Sequence, residues 1–479
     1  MNKNLGKQVR SGFGWDLIGT FFKQISVLTV SVVLARLLSP EEFGIIGMAM
    51  VFVNLSQVFV EVGFSQGLIQ KQNNTQIIYS SVFFINIFLG LFVGAFIYVL
   101  APLIGNFYES SQVTSVVQWL CFIPLISSFG SVHNALFVKN LNFKSLAFRT
   151  IFSTLIGGSV GVVMAFLGYG VYAIVGQQIS TVFFFSFILW WKSDWRPSWV
   201  FSLTELKELS NFSAFVFLDN LFRRFFLQLD TLFIGKYFSA TTLGFYSRAN
   251  SLNQQINGYT TNSLRKVLFP TFSKLQDDPK LFKSSYFKVF EISIFFGSLI
   301  TGCCFFLAED IIITLLGEKW QPSVLIFQIL VFKTIFQPFG ALIGKSLLAM
   351  GFSKENFKLG LIRRVILLSP LYIGYLEGIH AFTIALVIAF GIAFLISLGA
   401  VQKYLNFSFT KQLCIFIIPL LPLMFMVTIC YLFKIDTNTF VLFLTFLVTQ
   451  FIYLFTIKNK GLYLCLNLIK SKKKMIFKS

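Results

Sequence analysis

The chain has 479 residues, 56% of them hydrophobic and only 12% charged, and a mean hydropathy of +0.77. Soluble globular chains typically carry about 25% charged residues, so a water-soluble fold is excluded and most of the length belongs in a bilayer. The net charge of +20 has no soluble module to present it to nucleic acid; anionic lipid headgroups meet it instead.

A membrane-crossing helix takes roughly 20 apolar residues. In chain order this ruler predicts fourteen spans, at 13–38, 43–64, 78–104, 113–137, 146–167, 170–191, 210–237, 243–264, 287–308, 322–350, 356–375, 379–401, 412–433 and 437–457. The first is too long for a signal peptide and no small-residue cleavage site follows it, so it is expected to stay as a helix. Twenty-seven Lys and Arg fall on the side of the N-terminus and four (Arg36, Lys236, Lys319, Lys434) on the other; eight lie inside spans. That asymmetry places both termini in the cytoplasm and agrees with an even number of spans. The expected class is an all-α, multi-pass integral membrane protein.

The six Cys lack the paired spacing of a zinc site, and His133 and His380 have no ligand cluster around them. No nucleophile elbow, P-loop or dinucleotide fingerprint is present. Neither a metal nor a cofactor is expected.

The chain repeats itself. Between Leu34–Met50 and Ile234–Asn250, at an offset of 200, Arg36 faces Lys236, Leu38 faces Phe238, Ser39 faces Ser239, Gly44 faces Gly244 and Ala49 faces Ala249. Lys23 faces Arg223 at the same offset. A second echo, at an offset of 208, matches Gly170, Val171 and Ala173 to Gly378, Ile379 and Ala381. Six spans separate the equivalent helices, so the halves have the same orientation, a parallel repeat with a central cleft as substrate path. The division expected is 1–200 for the first six-helix lobe, 201–410 for the second, 411–457 for an additional helix pair and 458–479 for a basic cytoplasmic tail.

The charges inside the spans are Lys23, Arg223, Arg224, Arg248, Lys333, Lys345, Arg363 and Arg364, with Asp16, Glu61, Asp219 and Asp230. At about 2.5–3.5 kcal/mol for each at a helix centre, twelve facing lipid would cost on the order of 30 kcal/mol, so most of them face protein or water. Asp219 and Arg223 share a helix face, with Asp230 two turns beyond Arg223, and Asp16 and Lys23 stand in the same two-turn relation. One reading makes these structural ion pairs; the other places Lys23, Arg223 and Arg224 in a water-filled, positively charged cavity. Lys345, Arg363 and Arg364 lie near span ends, where long side chains snorkel. On span 8, Tyr246, Asn250, Asn253, Asn257 and Thr261 form a polar stripe, which lines the cavity or joins helix to helix. A basic cavity suits an anion. A lipid-borne diphosphate satisfies it, since the tail can stay in the bilayer while Lys and Arg hold the head. Moving a dianion outward gains ~4–5 kcal/mol per 100 mV.

The stretch Gly6–Gln70, with Ala135–Thr150 and Leu347–Phe357, resembles polysaccharide-export flippases of the multidrug/oligosaccharidyl-lipid/polysaccharide exporter superfamily. The resemblance implies two six-helix lobes in a V-shaped arrangement with alternating access. It also implies transfer of undecaprenyl-diphosphate-linked oligosaccharide (an O-antigen, capsule or exopolysaccharide unit) to the outer leaflet of the bacterial cytoplasmic membrane. Relatives that flip the peptidoglycan lipid precursor use cationic residues on spans 1, 2 and 8. Lys23 and Arg248 match on spans 1 and 8, whereas span 2 offers only Glu61. The candidate substrate-binding set is Lys23, Arg223, Arg224, Arg248, Lys333, Asn250, Asn253 and Asn257. Coupling to H+ or Na+, which some members show, makes Asp16, Glu61, Asp219 and Asp230 candidates. The partners implied are the lipid-linked oligosaccharide, membrane lipids and other polysaccharide assembly proteins. The rival readings are a drug or cation antiporter of the same superfamily and a membrane polysaccharide polymerase. The basic excess speaks against the first, and the short outer loops against the second.

Overall fold

The computed structural model describes residues 3–61, 65–71, 74–433 and 439–456; the side chains of 3–18, 61, 66, 208–216, 219, 259–267, 431 and 433 lie outside the described set. Every regular element among the described residues is a helix. Two compact units partition the chain, Met1–Ser247 and Arg248–Ser479.

The first unit holds α1 (Lys3–Leu37), α2 (Pro40–Glu61), α3 (Ser65–Gln70), α4 (Gln76–Tyr108), α5 (Ser111–Leu120), α6 (Phe122–Lys139), α7 (Phe143–Phe166), α8 (Val171–Lys192) and α9 (Leu203–Tyr237). Helix α10 (Ala240–Lys274) runs through the division. The second unit continues with α11 (Pro279–Phe306), α12 (Ala308–Leu316), α13 (Ser323–Leu330), α14 (Lys333–Ala349), α15 (Ser353–Ile366), α16 (Ser369–Glu377), α17 (Ile379–Leu405), α18 (Phe409–Ile417), α19 (Leu421–Phe433) and α20 (Thr439–Thr456).

Twelve helical segments among the described residues are long and apolar enough to cross a membrane, and they coincide with expected spans 1–6 and 9–14. Spans 7 and 8 are realised as α9 and α10, 35 residues each and so about 50 Å long at 1.5 Å per residue. Their length suffices for a crossing, but their charges and amides set them apart from the other twelve. Several helix starts are fixed by side chains that accept an otherwise orphaned N–H: Thr75 for α4, Ser110 for α5, Asn142 for α7 and Asp278 ahead of Pro279 for α11. Four expected spans are broken: span 4 divides at Cys121 into α5 and α6, span 10 at Val331–Phe332 into α13 and α14, span 11 at Leu367–Leu368 into α15 and α16, and span 13 at the short 3-10 turn Ile418–Leu420 into α18 and α19.

The internal repeat is present in the backbone. Leu38 N–H bonds Leu34 O at 2.8 Å and Phe238 N–H bonds Ile234 O at 3.0 Å, closing α1 and α9 in the same way. Gly170 (φ 54°) and Gly378 (φ 93°), the second echo, are the N-caps of α8 and α17 in a backbone region that side chains other than glycine rarely enter. A third equivalence joins the stretches Ala135–Thr150 and Leu347–Phe357. Asn142 N–H reaches back to Phe137 O and Phe352 N–H to Leu347 O, both at 2.9 Å, ending α6 and α14 with the same turn at an offset of 210.

Within the first unit the starts of α2 and α10 cross closely. A Cβ on Gly44 would overlap the carbonyl oxygen of Ala240, and a Cβ on Gly244 would overlap that of Pro40. The contact is reciprocal, as a two-fold relation between the repeated corners requires. Lys236 of α9 pairs with Glu109, which follows α4, at 2.9 Å.

The core of the second unit is built from aromatic rings, with Phe290 against Phe339 and Phe394 against Phe416, each at 4.4 Å between centroids. The last two spans are held to α11 by buried polar contacts. Tyr286 donates to Gln412 at 2.9 Å, Gln450 donates to Ser298 at 3.2 Å, and the Phe446 ring occupies the space that a side chain on Gly302 would need.

Candidate functional site

In the first unit the spanning charges divide into free and tied groups. Lys23 on α1 is exposed, and so is Arg223 on α9, whose Nη2 donates to Asn220 Oδ1 at 2.6 Å. Among the described residues neither has a carboxylate partner. Arg224 is half-buried, with Nη1 donating to the carbonyl of Asn54 in α2 at 3.2 Å. Asp230 accepts from the buried Tyr246 hydroxyl at 2.9 Å, which ties α9 to the start of α10. Asp16, Glu61 and Asp219, and Thr261 of the polar stripe, have side chains outside the described residues. An exposed cation in mid-span costs ~2.5–3.5 kcal/mol against hydrocarbon. Facing hydrocarbon would carry this cost for Lys23, whose helix is long and apolar enough to cross a membrane.

The second unit gathers another group. Asn250, Asn253, Asn257 and Lys333 form one polar network joining α10 to the break in span 10. Interrupting a helix frees carbonyls that need new donors. Asn253 donates to Leu330 O at 2.7 Å, and Thr301 donates to Val331 O at 3.5 Å. Asn253 Oδ1 accepts from Thr334 at 2.8 Å, and Asn257 donates to both the Asn253 carbonyl and its Oδ1 at 3.0 and 3.1 Å. Asn253 is completely buried. These contacts put Asn253 in a helix-to-helix joint, the second of the two readings of the stripe, with Asn257 bonded to it from the next turn of α10. Lys333 opens α14, where the helix dipole disfavours a cation. It is held by Asn250 Oδ1 at 3.2 Å and by the Phe390 ring at 5.7 Å, and is only 6% exposed. Arg248, two residues before Asn250 on α10, is half-buried.

Arg363 does not snorkel. Its Nε donates to Ser397 of α17 at 2.8 Å and its Nη2 is buried, because α15 and α17 pack over it. Two further buried groups escaped the sequence reading. Arg149, counted with the cytoplasmic loops, lies in α7 at 8% exposure, its guanidinium 3.5 Å from the centre of the Phe185 ring and 2.6 Å from Asn134 Oδ1. His133 is fully buried with its ring 4.7 Å from Trp190 and 5.2 Å from Trp195. Their partners come from other helices, so no local pattern marks them. In the second unit an apolar cavity of about 550 Å³ is lined by Phe305, Phe332, Ile388, Val427 and Leu442, with no charged residue in its wall.

The family described as polysaccharide biosynthesis protein matches residues 33–325, more than half of the chain. The chain is similar to the teichuronic acid biosynthesis protein TuaB of Bacillus subtilis, 24% identical over 73% of this chain and 72% of that one. It is equally similar to the lipopolysaccharide biosynthesis protein WzxC of Escherichia coli, 24% identical over 78% and 76%. Among solved structures, the lipid II flippase MurJ in an inward closed conformation superposes with a TM-score of 0.74, at 18% identity, over 91% of this chain and 97% of that one. An inward-facing multidrug resistance MATE transporter superposes at 0.61, at 14% identity, over 81% and 96%. The two solved structures, a flippase and a transporter by name, share this chain's fold. The chain therefore belongs to the polysaccharide biosynthesis protein family.

Proposed function

We propose that this protein transfers an undecaprenyl-diphosphate-linked oligosaccharide from the inner to the outer leaflet of the bacterial cytoplasmic membrane by alternating access, with fourteen spans in two six-helix lobes and both termini cytoplasmic. The observation that carries the reading is the pair Lys23 on α1 and Arg223 on α9, both exposed and without a carboxylate partner among the described residues. A diphosphate satisfies such cations through charge-assisted hydrogen bonds while the lipid tail stays in the bilayer. Arg224 in the first unit, and Arg248, Lys333 and Asn250 in the second, are further candidates for substrate binding on this reading. Ion coupling is assigned to Asp230, whose proton or cation occupancy is felt by α10 through Tyr246. The polysaccharide relatives support the substrate class, and the glycan is that of the host's surface polymer.

The test replaces Arg223 and Arg224 together by Gln in a strain lacking its own copy. Outer-leaflet lipid-linked oligosaccharide is then followed at matched membrane levels of the protein. A fall of tenfold or more is expected. Undiminished transfer would refute the assignment of these two residues and return them to a structural role, with Lys23, Arg248 and Lys333 next in line.

A further inference from the structure

Four of the seven Trp of the chain stand within ten residues, Trp190, Trp191, Trp195 and Trp199, at the end of α8 and in the connection to α9. Two of them face inward. Trp190 Nε1 donates to Phe129 O at 2.8 Å and Trp195 Nε1 to Gln76 Oε1 at 2.7 Å, with His133 between the rings. The connection is clamped onto the start of α4: Gln76 Nε2 donates to Arg196 O at 2.8 Å, Ser198 N–H to Ser80 Oγ at 3.0 Å and Ser202 N–H to Ser81 Oγ at 2.9 Å.

What this clamp presents outward is apolar and basic. Trp199 is 94% exposed, with Trp191, Phe201 and Leu203 also exposed. Trp199 stacks on Phe84 at 5.5 Å, and from there Phe88, Phe92 and Phe96, all exposed, recur every fourth residue along α4 with rings stacked at 6.4 Å. Lys192 Nζ lies 4.9 Å over both Phe148 and Trp191, and the Arg196 guanidinium 5.6 Å over Trp190. Neither cation has a carboxylate partner among the described residues, although Asp194 lies between them in sequence. On the orientation given by the Lys and Arg distribution, this end of α4 and α8 meets the cytoplasmic leaflet, where Trp rings settle at the headgroup level.

We propose that the segment from Trp191 to Leu203, with the ring column of α4, is a docking surface for an anionic glycerophospholipid. Its phosphate lies at Lys192 and Arg196, and one acyl chain lies along Phe88, Phe92 and Phe96. The column runs along a membrane-crossing helix, so its occupant is a hydrocarbon chain and not a soluble protein. Trp199, Trp191, Phe201 and Leu203 stand exposed rather than enclosed. An open surface binds weakly and is filled by the abundant anionic lipid of the leaflet, not by a scarce lipid-linked intermediate. The bound lipid would fix the depth of the connection while the helices beyond it move.

The experiment uses the full chain in nanodiscs of phosphatidylcholine with graded phosphatidylglycerol, then counts retained phosphatidylglycerol by native mass spectrometry. Trp199→Ala and Lys192→Gln/Arg196→Gln are compared with Lys354→Gln/Lys358→Gln on α15. At least threefold less phosphatidylglycerol is expected on the first two and an unchanged amount on the third. Trp199 is almost entirely exposed, so its variant keeps the test open even where the charge variant fails to fold. Equal retention in all three would overturn the proposal. So would displacement of the phosphatidylglycerol by equimolar undecaprenyl phosphate, which would assign the surface to the substrate lipid.

Discussion

In the corner between α1 and α2, Ser39 starts a helix that continues through Ile46, Met48 and Val53, all buried. In the corner between α9 and α10, Ser239 starts a helix with the same opening turn, but the equivalent positions are Tyr246, Arg248 and Asn253. The backbone and the two contact glycines are shared, whereas the helix face beyond them has been exchanged from apolar to polar. Repetition is thus retained where the chain touches its own copy and lost where each copy meets different surroundings.

The glycine crossing should give the largest effect. Gly44→Ala or Gly244→Ala drives a methyl group into a carbonyl, so the helices must separate; overpacking of this kind costs about 1–3 kcal/mol. Both residues sit in one crossing, so the double variant should lose less than the sum of the singles, since the first separation makes room for the second methyl. Thermal unfolding in detergent measures this, with Gly340→Ala as control because a Cβ there meets no atom within 4 Å. Full additivity would mean that the two contacts are independent and the two-fold relation has no energetic consequence.

The polar exchange is sharpened at Asn253, whose counterpart in α2 is Val53, each completely buried. Asn253→Val copies the first corner into the second but leaves Leu330 O and the Thr334 hydroxyl without their partner. A buried group stripped of its hydrogen bond costs about 1–3 kcal/mol, and thermal unfolding should register a loss of that order. Unchanged stability would mean that water replaces the amide, and the stripe would return to the cavity reading.

Apolar runs of sufficient length made twelve spans legible, since composition alone decides whether a helix tolerates lipid. The breaks at Cys121 and at Val331–Phe332 were not legible, because an interrupted helix is stable only when distant groups such as Asn253 donate to its freed carbonyls. Lys23 and Arg223 stood out because a mid-span charge is costly wherever it lies. Arg149 and His133 did not: Asn134, Phe185, Trp190 and Trp195 that surround them are neutral and belong to other elements.

The smallest expected difference lies in the caps of the two corners. Ser39 and Glu42 form a reciprocal box, Ser39 N–H donating to Glu42 Oε2 at 2.6 Å and Glu42 N–H to Ser39 Oγ at 3.3 Å. Ser239 accepts from Thr242 N–H at 3.1 Å, but Thr242 supplies a hydroxyl to Ser239 Oγ and no carboxylate to its N–H. A capping Ser replaced by Ala costs typically ~1 kcal/mol. In α2 the carboxylate of Glu42 also lies at a helix start, where negative charge is favoured by a few tenths of a kcal/mol or more. Glu42→Gln should therefore weaken the first corner, and Thr242→Glu should strengthen the second by completing the missing half of its box. Unfolding midpoints of the two variants, moving in opposite directions, would show that the corners differ by this one side chain. A midpoint unmoved by Thr242→Glu would place the difference in the polar face of α10 instead.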